Sequence, residues 1–523
     1  SSSLSTEAGF VSTGSSASHA MVVAAMLSSA LASLRKEQEY GFCDGLRALA
    51  VLWVCADHAL LCFEMLVTGM GPRLYKAWWP IAFPAAGEAG VDVFLVLSGF
   101  LIGGALQREL GRTGGIAVGK FVLRRIFRIF PAVVSAMFFT MLGDYLAGAK
   151  QECPNSEWFL NLFLFNNLPI TDNVLCMGHT WSVSLELQLY MATPVFFIFA
   201  AFVSSRAKSK SVTLARCMAT LCALAWFACC ALRLWFVVSH DLVNQSAQGL
   251  DWIAFYLPTH FRFGTYVAGV LVGVLAQERK DSHAPACSGG PLSTASLALA
   301  FLVIASVSLV GCDVSPAANS VGAAWYRTNL PTVAALHAAL FRPCLGVVVA
   351  NILFQCSSGA APRLTRFLSW SAWKPLAGLS YSMYLLQFVG FRLMAKPYLF
   401  TISNMLVDSP LWVGTVSAYA CVALFILAAM PLALFNYTFV EIPGINLGRC
   451  IVERLAGTPQ GNSGQTASGD LPHLDLERGA CVSEVSTESP KSRGRAETAS
   501  TDGMSLESSP CDSADVTDLK FDS

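Results

Sequence analysis

Long apolar runs separated by short polar stretches dominate the chain. Runs of bilayer-spanning length, ~20 residues for ~30 Å of hydrocarbon, lie near 46–66, 88–106, 124–146, 180–203, 213–238, 257–276, 293–311, 331–355, 375–399 and 411–439. The pattern predicts an all-α transmembrane bundle of about ten spans over residues 41–449. Two stretches fall outside it. Residues 450–523, most plainly from 457 onward, are rich in Ser, Thr, Gly, Pro, Asp and Glu and too poor in aromatics to bury a core, so they read as a disordered cytoplasmic tail. Residues 1–40 open Ser-rich and without an initiator Met, as a truncated or processed chain would. Within them Ala20–Leu34 is apolar but short, which suits an interfacial helix or the remnant of a targeting segment better than an eleventh span.

Composition agrees with the membrane reading. Hydrophobic residues make up 54% of the chain and charged ones 13%, with a mean hydropathy of +0.54; soluble domains carry roughly 25% charged residues. The 34 basic and 34 acidic residues cancel, which argues against a nucleic-acid partner. Their placement sets the orientation. Alternate connections hold 20 Lys and Arg, from Arg35 to Arg454, against only Arg73, Lys76, Lys150 and Arg327 on the other side. Cytoplasmic loops are the positive ones, so both ends of the bundle are expected in the cytoplasm of a plasma membrane or endomembrane.

Most of the 17 cysteines lie inside the spans as small apolar residues, and no Cys/His spacing suggests a metal site. Cys153 and Cys176 stand apart. They flank the one long non-cytoplasmic loop, 147–179, where a disulfide would stabilise the fold by roughly 3 kcal/mol on the loop-entropy argument; two free thiols are the alternative.

Ionisable groups inside a span cost ~2.5–3.5 kcal/mol each and mark candidate functional positions. Arg47 sits at the cytoplasmic mouth of the first span, and His58 lies ~16 Å deeper. Glu186, in HTWSVSLELQLY, lies ~9 Å below the outer surface against ~12 Å for His58. That similar depth suggests a histidine base with a carboxylate to steady it. In the second span Asp92 lies near the outer edge, with Ser98 and Gly99 near the middle; the glycine admits a close helix or a ligand chain. Arg124, Arg125 and Arg128 project together from the start of the third span, suited to phosphates or, more blandly, to lipid headgroups. Arg233, Arg262, Arg342 and His337 also fall within spans but carry no readable pattern.

Six ordered blocks resemble acyltransferase family 3, which includes bacterial O-antigen and peptidoglycan O-acetylases and the animal nose-resistant-to-fluoxetine proteins. The family's Arg-x10-His matches Arg47 and His58, and its G-V-D-[LV]-F block matches Gly90 to Phe100. Its Arg-x-x-Arg matches Arg125 and Arg128, and its H-[ST]-W-S block matches His179 to Tyr190. Ser380 to Leu385 matches S-Y-S-x-Y-L, and Glu441 to Pro443 the closing E-x-P. One departure stands out: Gln387 occupies a position where bacterial members usually carry a histidine. The resemblance implies a membrane O-acyltransferase using cytoplasmic acyl-CoA, acetyl-CoA foremost, with no metal. Arg47, Arg125 and Arg128 would hold the coenzyme A phosphates. His58, backed by Glu186, would act as base on an acceptor hydroxyl, with Asp92, Ser98, Gly99 and Trp181 on the substrate. Its partners would be membrane lipids, acyl-CoA and a hydroxyl acceptor that the sequence does not identify. A lipid or small-molecule transporter on the same bundle is the rival reading, although no inverted repeat supports it.

Overall fold

The computed structural model describes residues 12–455 except 37, 78–79, 147–154, 169–176, 208–212, 244–249, 288, 311–324 and 326. Cys153, Cys176 and the tail beyond residue 455 therefore lie outside the described residues.

In hydrocarbon every backbone N–H and C=O needs an internal partner, so apolar segments of this length fold as helices. Among the described residues there is no strand. The helices are α1 (Ser12–Arg35), α2 (Phe42–Leu66), α3 (Met70–Ala77), α4 (Ala89–Thr113), α5 (Val118–Leu146), α6 (Asn155–Leu162), α7 (Trp181–Arg206), α8 (Leu214–Ser239) and α9 (Leu250–Tyr256). They continue with α10 (Phe263–Asp281), α11 (Pro291–Val310), α12 (Pro331–Ser358), α13 (Pro362–Leu368), α14 (Trp373–Gly390), α15 (Lys396–Leu406), α16 (Leu411–Asn436) and α17 (Ile442–Leu455). Each of the ten predicted segments falls on one of these helices. Seven of them are long and apolar enough to cross a membrane. The other three fall short for local reasons. Pro258 and a short 3-10 turn split 257–276 before α10, which then ends in charged residues. The described part of α11 is short. The 375–399 segment is broken by the π-helical turn Phe391–Ala395, which carries Arg392. A second π-helical turn, Tyr437–Glu441, joins α16 to α17.

Polarity is turned inside out. Phe138, Val195, Phe227, Trp235 and Leu427 are each more than 60% exposed, while Asp92, Arg233, Arg262, Arg342 and Gln387 have no accessible surface. Such a surface suits lipid, and such a core keeps its charges paired. The tightest seam joins α4 to α10 through reciprocal small-xxx-small pairs, Gly99/Gly103 and Gly269/Gly273. A Cβ on Gly99 would strike the Tyr266 carbonyl and one on Gly103 that of Val270; a Cβ on Gly269 would strike the Val96 carbonyl and one on Gly273 that of Phe100. Around this seam pack α8 and α12, while α2 links it to α14 and α16, and α5 and α7 close the bundle. Helix α1 docks its last turns, Ala30 and Leu34, against Gly378 of α14.

An ionic cluster locks the outer half of α4. Asp92 accepts from Arg262 Nη1 at 3.0 Å and from Arg342 Nη1 at 2.6 Å, and Arg342 Nη2 reaches Glu88 at 3.2 Å. Arg262 also lies 4.2 Å from the Tyr256 ring centroid and 5.1 Å from that of Trp181. Asp92 was expected to meet substrate. Its carboxylate is instead fully engaged by two guanidiniums and closed to ligand. Nearby, Arg233 ties α8 to the Ala338 and Ala339 carbonyls of α12.

Two outcomes test this architecture. Epitopes inserted at the exposed Ser282 and Asp408 should be reached from opposite faces of sealed vesicles; antibody access to both from one face would break the alternation of spans. Asp92→Asn leaves two buried guanidiniums short of a counter-charge, and it should destabilise the protein by about 3–5 kcal/mol. A thermal unfolding curve in detergent that matches the wild type would show the cluster to be dispensable.

Candidate active site

A cavity of about 120 Å³ opens between α2, α4, α5, α7 and α14. Along α4 its lining runs from Val91 to Ile102, roughly 16 Å of helix axis. At one end, named inner for the expected orientation, stand Arg47, Arg125 and Arg128; in the middle Ser98 and Glu186; at the opposite, outer end Ser182 and Tyr384.

The three arginines are held differently. Arg47 is restrained by Gln38 Oε1 at 3.2 Å and by Asp44 at 3.7 Å. Arg125 lies 5.3 Å from the centroids of both Phe121 and Tyr190. Neither Arg125 nor Arg128 makes a hydrogen bond or ion pair to a described residue, so their donors remain available to an anion. Arg124 is exposed and does not line the cavity; Arg128, also exposed, and the partly buried Arg125 do.

Glu186 and Tyr190 lie one turn apart on the same face of α7. Tyr190 and Ser98 both donate to Glu186 Oε1, and their own oxygens are 3.1 Å apart. Oε2 has no hydrogen-bond partner among the described residues.

His58 is elsewhere. Its ring lies 5.0 Å from that of Phe388, and the His179 ring lies 4.9 Å from the same phenyl group. The His179 Nε2–H donates to the Leu385 carbonyl at 3.1 Å, which fixes its tautomer. The polar side chain facing His58 is Gln387, whose Nε2 donates to the Tyr384 carbonyl. His58 Nδ1 and Gln387 Oε1 are both buried and find no hydrogen bond of good geometry. Gln387 and Phe388 follow Tyr384 by one turn, so this pair of histidines lies about 5 Å beyond the outer end of the cavity. Between the two stands Tyr384, whose hydroxyl is held by Ser182 at 2.8 Å and by the His179 carbonyl.

The structure therefore does not bring His58 and Glu186 together. From His179, level with His58, to Glu186 the chain descends roughly 10 Å. The similar depths expected from the sequence assumed that α7 starts at the outer surface. Instead His179 shares Phe388 with His58, eight residues before the end of α2, while Asn166 donates to Asn161 at 2.8 Å and to Thr180 at 2.7 Å just ahead of α7. Of the four expected substrate contacts, only Ser98 lines the cavity. Gly99 is consumed by the helix seam, Asp92 by the ionic cluster, and Trp181 packs on Tyr256 at 4.9 Å. Sequence reasoning passed over Tyr190, Ser182, Tyr384 and His179. The one-turn spacing of Glu186 and Tyr190 was the available signal for the first.

The family described as "Acyltransferase domain" matches residues 40–434. A Staphylococcus aureus protein provisionally named an O-acetyltransferase is 30% identical over 165 residues, covering 30% of this chain and 24% of the relative. The peptidoglycan O-acetyltransferase OatA of Listeria monocytogenes is 29% identical over 172 residues, covering 30% and 24%. A Bacillus subtilis protein provisionally named a peptidoglycan O-acetyltransferase is 28% identical over 181 residues, covering 32% and 25%. The aligned stretch thus spans about a quarter of the length of each of these relatives. No solved structure matches. With a family match over most of its length and several apolar helices of spanning length, the chain belongs to this acyltransferase family and is an integral, multi-pass membrane protein.

Proposed function

We propose that the protein is an O-acyltransferase that moves an acyl group, foremost acetyl, from cytoplasmic acyl-CoA to a hydroxyl of a carbohydrate, lipid or other small acceptor. The observation that carries this reading is the set of three guanidiniums at one end of a narrow cavity, two of them in no hydrogen bond or ion pair with a described residue. Guanidinium forks match phosphate oxygens in pairs. The relatives named for peptidoglycan O-acetylation favour a carbohydrate hydroxyl as acceptor. Both ends of the bundle facing the cytoplasm would put the arginine end on the side where acyl-CoA is made.

The residues divide the work along the cavity. Arg47, Arg125 and Arg128 bind the donor's phosphates. The thioester reaches the outer end, beside Ser182 and Tyr384. From the far side His58 takes the proton of the acceptor hydroxyl; the hydroxyl oxygen bonds to the acyl carbon, the carbon–sulfur bond breaks, and the proton passes to the departing thiolate.

Purified protein in liposomes with labelled acetyl-CoA and candidate hydroxyl acceptors tests the reading. Arg128→Ala should raise KM for acetyl-CoA roughly ten- to a hundredfold with a smaller change in kcat, as expected for loss of a charge-assisted contact worth ~1.5–3 kcal/mol. Arg128→Lys should recover only part of it. His58→Ala should abolish transfer while CoA still binds. Unchanged CoA affinity in the Arg125→Ala and Arg128→Ala proteins would return those arginines to the role of headgroup anchors and remove the main support for an acyl-CoA donor.

A further inference from the structure

Glu186 lines the cavity with one oxygen saturated and the other bare, and it lies roughly 10 Å from the level of His58. A carboxylate that far away cannot orient the imidazole by contact. Resting on the acyl-CoA reading above, we propose that Glu186 binds the donor: its Oε2 accepts the N–H of the pantetheine amide nearer the phosphate.

The register follows from bond counting. An extended pantetheine arm advances about 1.25 Å per bond, so from the phosphate ester oxygen the nearer amide nitrogen lies about 6 Å away and the sulfur about 15 Å away. The protein offers matching levels. Arg125 lies against Tyr190, one turn or roughly 6 Å inward of Glu186. Ser182 lies one turn outward of Glu186, roughly 12 Å from the Tyr190 level. A phosphate gripped at the level of Arg125 therefore sets the nearer amide opposite Glu186 and carries the sulfur about 3 Å past Ser182, toward Tyr384 and the turn that bears His58.

The hydrogen-bond inventory fits the same assignment. An amide N–H drawn out of water costs free energy unless an acceptor meets it. Val91, Phe94, Leu95, Leu101 and Ile102 supply none from their side chains on the α4 wall. Tyr190 and Ser98 both donate into Oε1, which pins the carboxylate and leaves Oε2 free to accept. Glu186 is thus a donor-positioning residue, and it selects a donor with an amide at a set distance from its phosphate.

The test uses the full-length protein in liposomes with two donors, acetyl-CoA and an analogue in which the nearer pantetheine amide N–H is replaced by an ester oxygen. For the wild type the analogue should raise KM roughly ten- to a hundredfold at nearly unchanged kcat. In Glu186→Ala the KM for acetyl-CoA should already be raised and the analogue should add little, because both changes delete one contact. Glu186→Gln, which keeps a carbonyl acceptor, should fall between. The assignment is overturned if the wild type uses the analogue as well as acetyl-CoA, if the two effects multiply, or if Glu186→Ala lowers kcat at constant KM, which would mark a role in the chemistry. Should Glu186→Ala fail to insert, the comparison of the two donors on the wild type decides alone. A wild type that neither binds nor turns over acetyl-CoA fails the donor reading itself, a result distinct from equal use of both donors.

Discussion

The structure depends on one carboxylate shared by two buried guanidiniums. Asp92 belongs to α4, Arg262 precedes α10 and Arg342 sits inside α12, so their ion pairs fix three helices at one depth. Left alone, any of these charges would cost ~2.5–3.5 kcal/mol at the centre of a bilayer. Shared, they leave little freedom for α4 to slide or turn. The glycine seam then removes what remains, because Gly99 and Gly103 fit α10 in one register only. With that face of α4 committed to α10, the neighbouring residue Ser98 is turned to the cavity, against Glu186 of α7.

Once α4 is fixed, the cavity acquires an order along its axis. Arginines occupy one end, a carboxylate carrying two hydroxyls the middle, and a hydroxyl pair the other end, with two imidazoles a turn beyond. Charge and hydrogen-bonding capacity thus change sign along a path of about 16 Å. A ligand with an anionic head, a polar arm and a reactive end would find each part matched, whereas one of uniform polarity would not. The π-helical turns lie on the elements that close this space. Glu441, at the end of the second, accepts from Ser382 at 2.9 Å and keeps α14 against the α16–α17 hinge; such turns often mark working regions of helices.

The spans were legible because a run of apolar residues long enough for a bilayer has few alternatives. Arg47, Arg125 and Arg128 were legible too, since their spacing on a helix determines their faces. Lateral pairing was not. Arg262 and Arg342 showed no pattern because their partner, Asp92, is far away in sequence, and neither hydropathy nor spacing reveals which helices adjoin. The rule that charges inside a membrane pair with one another could have joined Asp92 to the unassigned arginines. Depth failed for a separate reason: counting residues from a presumed surface is sound only if the helix starts there, and His179, just ahead of α7, instead shares Phe388 with His58.

That shift in depth changes what His58 has around it. A carboxylate beside an imidazole would hold its tautomer and stabilise its charged form. Here the facing group is the amide of Gln387, which can do the first and contributes no charge to the second. Phe388 lies beside the ring, and among the described residues no carboxylate is in contact with it. An imidazolium formed at His58 would then be short-lived, and the proton taken from a hydroxyl would have to leave nearly as soon as it arrives. A nearby leaving group that becomes basic in the same step meets that requirement. A thiolate released at the level of Ser182 and Tyr384, one turn away, is such a group, so the absence of a carboxylate at His58 favours proton return to sulfur over storage on the imidazole.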